Sequence, residues 1–283
     1  MDRLSAVFLA LQGGVWILAF LYGIRRRRRD PSLSAENALK RCKGFSAMTL
    51  GLILLSAGFL FPLLNDSICE ALPIATQRWL HWIEWSLILT SFGLASGLLV
   101  GLAIPGGPPR QTLVAVFIPP LHVLFAVVAL RNVDPVHHAL DQVKEEQGVV
   151  LQSTGYTCVA ATLANVARHH GLFLSERDAA ELLLTTRLGT SRGPIRYALS
   201  QLDIAQRTYH RDEERDLSKV PVPAFLFVDH PSVGREGHAV GYFGERAGGY
   251  EIWDPLGGRS IWSAEQVNAH WHGSAIACEF RPR

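Results

Sequence analysis

The chain has 283 residues, enough for one large domain or two smaller ones, and 48% of them are hydrophobic. A net charge of +2 supplies no global basic field for nucleic acid. The four cysteines, Cys42, Cys69, Cys158 and Cys278, share no C-x-x-C spacing, and no phosphate loop, dinucleotide fingerprint or H-E-x-x-H motif occurs, so no cofactor or metal is expected.

Four long apolar runs come first, at about 4–24, 44–64, 79–104 and 112–130. About 20 apolar residues cross a ~30 Å hydrocarbon core, and soluble core helices are shorter and amphipathic, so residues 1–131 read as a transmembrane region of four spans. Arg25 to Arg29 directly follow the first run, and Lys40, Arg41 and Lys43 directly precede the second. Positive residues beside spans stay cytoplasmic, which puts the loop between them inside and the N-terminus outside. Counting onward, the 65–78 loop is outside and the Gly106–Arg110 turn inside. Everything after Arg131 is then extracytoplasmic, periplasmic in a bacterial inner membrane. The charge on the C-terminal side of the first run also argues against a cleaved signal peptide. His81 and Glu84, among Trp79, Trp82 and Trp85, are expected at the membrane interface. Pro119 and Pro120 are expected to kink the fourth span, with His122 facing the bundle interior.

Residues 132–146 are polar and read as a connector to a soluble domain over 147–283. In that domain Ala160, Leu163, Ala164 and Ala167 keep helical spacing, and His169-His170-Gly171 ends the run with cations and a glycine. Ser175 with Asp178 forms a capping-box pattern for a second helix. Pro194 opens a third, with Ile195, Ala198, Leu199 and Leu202 on one stripe. Strands follow at 223–229, 238–244, 249–255 and 273–280, with a hairpin turn at Glu245–Gly249. Ser263 and Gln266 cap one more helix before the last strand. Helices first and strands after predict an α+β domain.

Cys158 opens the first of these helices. A helix N-terminus and a neighbouring imidazolium both favour thiolate over thiol, which turns a cysteine into a nucleophile. The imidazole must come from elsewhere, steered by an acid. His238 is expected to start one strand and Asp254 to end the next, sixteen residues later, so that they meet at one end of the sheet. Gln152, ahead of the helix, can offer its amide to an oxyanion together with the Cys158 N–H. Losing one such donor costs ~2.7–4 kcal/mol in a transition state. His230 is a rival base, set aside because no acid follows it across a hairpin. His169 and His170 are expected to cap the helix C-terminus. Cys69 and Cys278 could pair if the domain is extracytoplasmic, although two unpaired thiols are the simpler expectation.

The stretches "QSTGYTCVAATLANVARHHG", "VPVPAFLFV" and "GHAVGYFGERAGGYEIWDPLGG" together resemble the double-glycine cysteine peptidases, the papain-like domains at the front of bacteriocin-exporting ABC transporters. The resemblance covers roughly residues 147 to 280. It implies a papain-like fold with Cys158 as nucleophile, His238 as general base and acid, Asp254 as orienting group and Gln152 as oxyanion donor. It also implies a precursor or leader peptide as substrate, cut after a small-residue pair such as Gly-Gly, and a separate export machinery as a partner beside membrane lipid. The family usually carries Asp-Cys-Gly at the nucleophile, whereas this chain has Thr157, Cys158 and Val159, which adds bulk beside the thiol. No ATPase segment accompanies the domain. Two other readings share the residues: a module that binds a leader without cutting it, and a transglutaminase-like acyl transferase or cell-wall amidase.

Overall fold

The computed structural model describes residues 3–64, 66–104, 109–140, 144–210, 216–231 and 234–280. It divides into two compact units, Met1–Ala71 with Trp79–Asp134, and Leu72–Arg78 with Pro135–Arg283.

The first unit is helical: α1 (Arg3–Arg29), α2 (Ala38–Arg41), α3 (Lys43–Leu64), α4 (Asp66–Ala71), α5 (Ile74–Ala103) and α6 (Pro109–Val133). Among the described residues, three helices contain stretches long and apolar enough to cross a membrane, Val7–Arg29, Trp82–Ala103 and Ala115–Val133. The second expected span falls on α3, whose described apolar stretch, Lys43–Gly58, is shorter. The Gly106–Arg110 turn and the His81 side chain lie largely or wholly outside the described residues. Glu84 is buried, and α6 runs through Pro119 and Pro120.

Close backbone contact joins α1 to α5. Gly97 and Gly101, four residues apart, lie on one face of α5. A Cβ on Gly97 would sit 2.5 Å from the Trp16 carbonyl oxygen, one on Gly101 would strike that of Phe20, and one on Gly23 would sit 2.7 Å from that of Leu98. Small residues at this spacing let helix backbones touch, the favoured packing where lipid removes the hydrophobic drive between helices. Gln12 adds a polar link, donating to Thr90 Oγ1 at 3.2 Å. His122 is buried as expected, stacked on Phe92 with ring centroids 5.4 Å apart.

The second unit is α+β. Residues Val136–Ala139 form a 3-10 turn, and β1 (Lys144–Glu146) pairs with β2 (Val149–Leu151). Three helices follow: α7 (Cys158–His169), α8 (Glu176–Leu183) and α9 (Arg192–Gln201). Then come β3 (Ile204–His210), β4 (Ala224–His230), β5 (Gly234–Arg246), β6 (Gly249–Asp254), β7 (Gly258–Trp262), α10 (Ala264–His270) and β8 (Ser274–Phe280). The strands β3 to β8 make one antiparallel sheet in the order β3-β8-β4-β5-β6-β7.

Both expected capping boxes form, Ser175 with Asp178 and Ser263 with Gln266. The expected hairpin also forms: Arg246 pairs with Gly249, and Gly248 takes a φ of 98° that favours glycine. One core cluster packs α7, α8 and α9 against β4, β5 and β8. Residues Val159 to Ala167 of α7 are all buried, so this helix is the centre of the layer rather than an amphipathic cover. Its alanines let it approach the sheet closely. A second cluster on the opposite face gathers Tyr242, Ile252, Val267 and Trp271.

Two expectations need correction. His238 does not start its strand: β5 begins at Gly234, because the polar stretch before His238 continues the pairing with β4, His230 opposite Gly234, beyond a bulge. The residue pattern also predicts no strand at β1, β2, β3 or β7. The first two are only three residues long, and β3 and β7 are sheet edges, where half-exposed residues leave no hydrophobic alternation to read. All four cysteines are unbridged, and Cys278 is fully buried in β8.

Candidate active site

Cys158 is the first residue of α7, behind Thr157 at the N-cap. The first N–H groups of a helix have no partner within it, so the Cys158 amide is available to a ligand and the positive end of the helix faces the thiol. The register of α7 is fixed at two depths. Thr162, one turn on, donates to the Ala239 carbonyl at 3.1 Å. Asn165 closes a two-bond ring with Val150, accepting from its N–H at 2.7 Å and donating to its carbonyl at 3.0 Å. These bonds tie the helix to β5 and β2, the two elements that flank the site.

His238 is buried, 3% exposed, and its Nε2 lies 2.7 Å from Asp254 Oδ1. The pairing of Gly241 with Trp253 brings the end of β6 to the segment of β5 that carries His238. Asp254 also accepts from the Leu256 N–H at 2.9 Å, which holds the carboxylate in place. With Nε2 committed to the acid, Nδ1 is the ring nitrogen left for Cys158, which is hydrogen-bonded to the same ring. Burial alone would lower the His238 pKa, but the bonds to Asp254 and Cys158 and their charges outweigh it and push the value up to about 9. Burial likewise raises Asp254, and the bonds from His238 and Leu256 with the charges of His238 and His230 more than offset it, so its pKa is lowered. The ring is therefore held as an imidazolium between two acceptors.

The structure thus brings Cys158, His238 and Asp254 together. Gln152 sits beside them but is differently engaged. Its N–H donates to the Pro255 carbonyl at 2.9 Å, one residue after Asp254, and its side-chain Nε2 donates to the Thr154 carbonyl at 2.7 Å. An amide nitrogen carries two hydrogens, so one remains for a substrate oxygen. His230, set aside on sequence, packs with its ring centroid 5.3 Å from that of His238, and its charge acts on Asp254. The bulge in β4 and β5 that places it there leaves no trace in residue spacing. His170 ends α7, and its Nε2 lies 3.0 Å from the Cys278 carbonyl, so it links helix to sheet.

Cys158 and His238 open onto a cleft of about 340 Å³, also lined by Tyr156, Val159, Arg187 and Phe227. Among the described residues, no group of three or more His, Cys, Asp or Glu side chains could hold a metal ion. A sulfur at a helix start, an imidazolium and an orienting carboxylate are the parts needed for nucleophilic acyl transfer.

Residues 146–283 match the peptidase C39 family. No curated protein matches the chain. Among solved structures, one similar chain is a double glycine motif protease from an AMS/PCAT transporter in complex with the leader peptide, 18% identical, with 50% of this chain and 93% of that chain covered and a TM-score of 0.42. Another is the peptidase domain of Streptococcus ComA, a bi-functional ABC transporter involved in a quorum sensing pathway, 25% identical over 46% of this chain and 96% of that chain, with a TM-score of 0.42. A third, the peptidase domain of Streptococcus mutans ComA, is 22% identical over 47% and 98%, with a TM-score of 0.37.

Proposed function

We propose that residues 146–283, which match the peptidase C39 family, form a cysteine peptidase domain with a papain-like α+β fold that cleaves a precursor or leader peptide after a small-residue pair of the Gly-Gly kind. The observation that carries this reading is the hydrogen-bonded chain from Cys158 through His238 to Asp254.

In the proposed reaction Cys158 and His238 act as a thiolate–imidazolium pair, with the Cys158 proton already on His238 Nδ1, and Sγ attacks the carbonyl carbon of the scissile peptide. The carbonyl oxygen becomes an oxyanion, met by the Cys158 N–H and the Gln152 amide. His238 then gives its proton to the leaving nitrogen, the C–N bond breaks, and a thioester remains on Sγ. Water attacks this thioester, with His238 as the base, and the freed thiol completes the cycle. Asp254 keeps the ring oriented and stabilises its positive charge throughout. Val159 lines the cleft beside Cys158.

The domain layout of this proposal is a membrane region over 1–131 with four spans, a connector over 132–146 and the peptidase domain from 147 onward. The basic run Arg25–Arg29 supports placing the domain on the extracytoplasmic, periplasmic face of a bacterial inner membrane. There it would meet a precursor handed over by a separate export machinery.

Incubating the purified full chain with glycine-rich precursor peptides and trapping the intermediate tests the chemistry. A thioester adduct on Cys158, absent in Cys158→Ala, is expected by mass spectrometry. Binding without any adduct or product would favour a non-cleaving module. Glutamine crosslinks or released peptidoglycan fragments would favour the acyl-transferase or amidase reading.

A further inference from the structure

Glu176 is 1% exposed, at the first position of α8, and plays no part in the chemistry described above. Its carboxylate is spent on one residue. Oε1 accepts the Ser153 N–H at 2.7 Å, and Oε2 accepts the Ser153 hydroxyl. Burying a carboxylate is costly unless its oxygens are filled, and here both are filled by a loop rather than by a cation.

That loop, Gln152 to Thr157, joins Gln152 to Cys158. Its front end is fixed by the Gln152 N–H on the Pro255 carbonyl. Its back end is tied by Thr157, fully buried, whose Oγ1 accepts from the Thr154 N–H at 3.3 Å and whose own N–H reaches the Thr154 carbonyl at 3.4 Å. Ser153 lies between these anchors, directly after Gln152. A carboxylate gripping it from α8 sets where the Gln152 side chain starts.

We propose that Glu176 is a positioning residue of the catalytic site: through Ser153 it holds the Gln152–Thr157 loop so that the Gln152 amide and the Cys158 N–H converge on the reacting carbonyl oxygen. The inference rests on the oxyanion role given to Gln152 above. Oxyanion donors act only within about 2.7–3.1 Å of the developing charge, and a displacement of about 1 Å can cost roughly 10²-fold in rate.

The test separates oxyanion-dependent chemistry from thiol reactivity as such. Acylation of Cys158 by a precursor peptide builds an oxyanion. Alkylation by iodoacetamide displaces iodide at carbon and builds none. Both rates are measured at Cys158 by mass spectrometry on the full chain in detergent. Glu176→Gln should slow acylation ~10- to 100-fold while leaving alkylation within about twofold. Ser153→Ala keeps the main-chain bond and should slow acylation ~3- to 10-fold, which decides the question should Glu176→Gln not fold. Wild-type acylation in these variants, or acylation and alkylation falling in parallel, overturns the proposal. Gln152→Ala reports on the underlying reading: normal acylation in it removes the oxyanion role of Gln152 whatever Glu176 does. Slow acylation in Gln152→Ala alone removes only the role of Glu176.

Discussion

Thr162 donates a hydrogen bond to the Ala239 carbonyl at 3.1 Å, one helical turn below Cys158 and one residue beyond His238. Apolar contacts alone would let α7 slide along β5 at little cost, because burial is not directional. This bond gives the sliding coordinate a minimum, and with it the separation of sulfur from imidazole. Thr162→Val keeps the shape and leaves the carbonyl without its side-chain donor. The expected cost is about 1–3 kcal/mol of stability, read by urea unfolding, with kcat for peptide cleavage falling more than KM rises.

Asp254→Asn preserves an oxygen for the His238 ring and the Leu256 N–H but removes the charge. The His238 pKa should then fall from about 9 toward the ordinary 6.5, since the acid is a main cause of the rise. Each unit of that fall corresponds to about 1.4 kcal/mol of lost preference for the imidazolium. The alkaline limb of kcat/KM against pH should move down by the same interval, and NMR titration of His238 checks the pKa directly.

Stability should follow pH through the same pair. The folded pKa of His238 lies above its ordinary value of 6.5, so its contribution is complete below about 6.5 and is lost as pH rises through about 9. The Asp254 pKa is lowered below 3.8, so its contribution is present above that value and is lost as pH falls through the folded pKa. Tm measured from pH 5 to 10 should decline on the alkaline side in wild type, and the decline should shrink in His238→Gln.

The helical unit makes a prediction of its own. A side chain on Gly101 would meet the Phe20 carbonyl across the α1–α5 contact. Gly101→Leu must push the helices apart and should cost about 1–3 kcal/mol by overpacking, whereas Gly51→Leu, with open space around it, should not. Thermal unfolding of the full chain in detergent distinguishes the two.

Most of the architecture was legible because it rests on local rules. The capping boxes at Ser175 and Ser263, the α7 helix and the 245–249 turn are short-range patterns, and each forms as expected. The meeting of His238 with Asp254 was legible from their sixteen-residue spacing across a hairpin, while the family likeness joined Cys158 to them, since nothing in the spacing alone aims a helix start at a strand. Gly97 and Gly101 carried a readable small-residue signal that the hydropathy of the run concealed. The rest was hidden for physical reasons. The edge strands β3 and β7 bury too little to show a period. The grip of Glu176 on Ser153, the Thr162 bond and the approach of His230 to His238 depend on contacts between residues far apart in the chain or across a bulge.

The central claim is that Cys158 is the nucleophile of a peptidase acting on exported precursors. Comparing the N-termini of proteins exported by cells that carry the wild-type chain or Cys158→Ala tests it most directly. The account predicts a set of mature N-termini preceded by small-residue pairs in the precursors, present with wild type and replaced by uncut forms with the variant. Identical N-termini in both strains, with the variant expressed and folded, would contradict it.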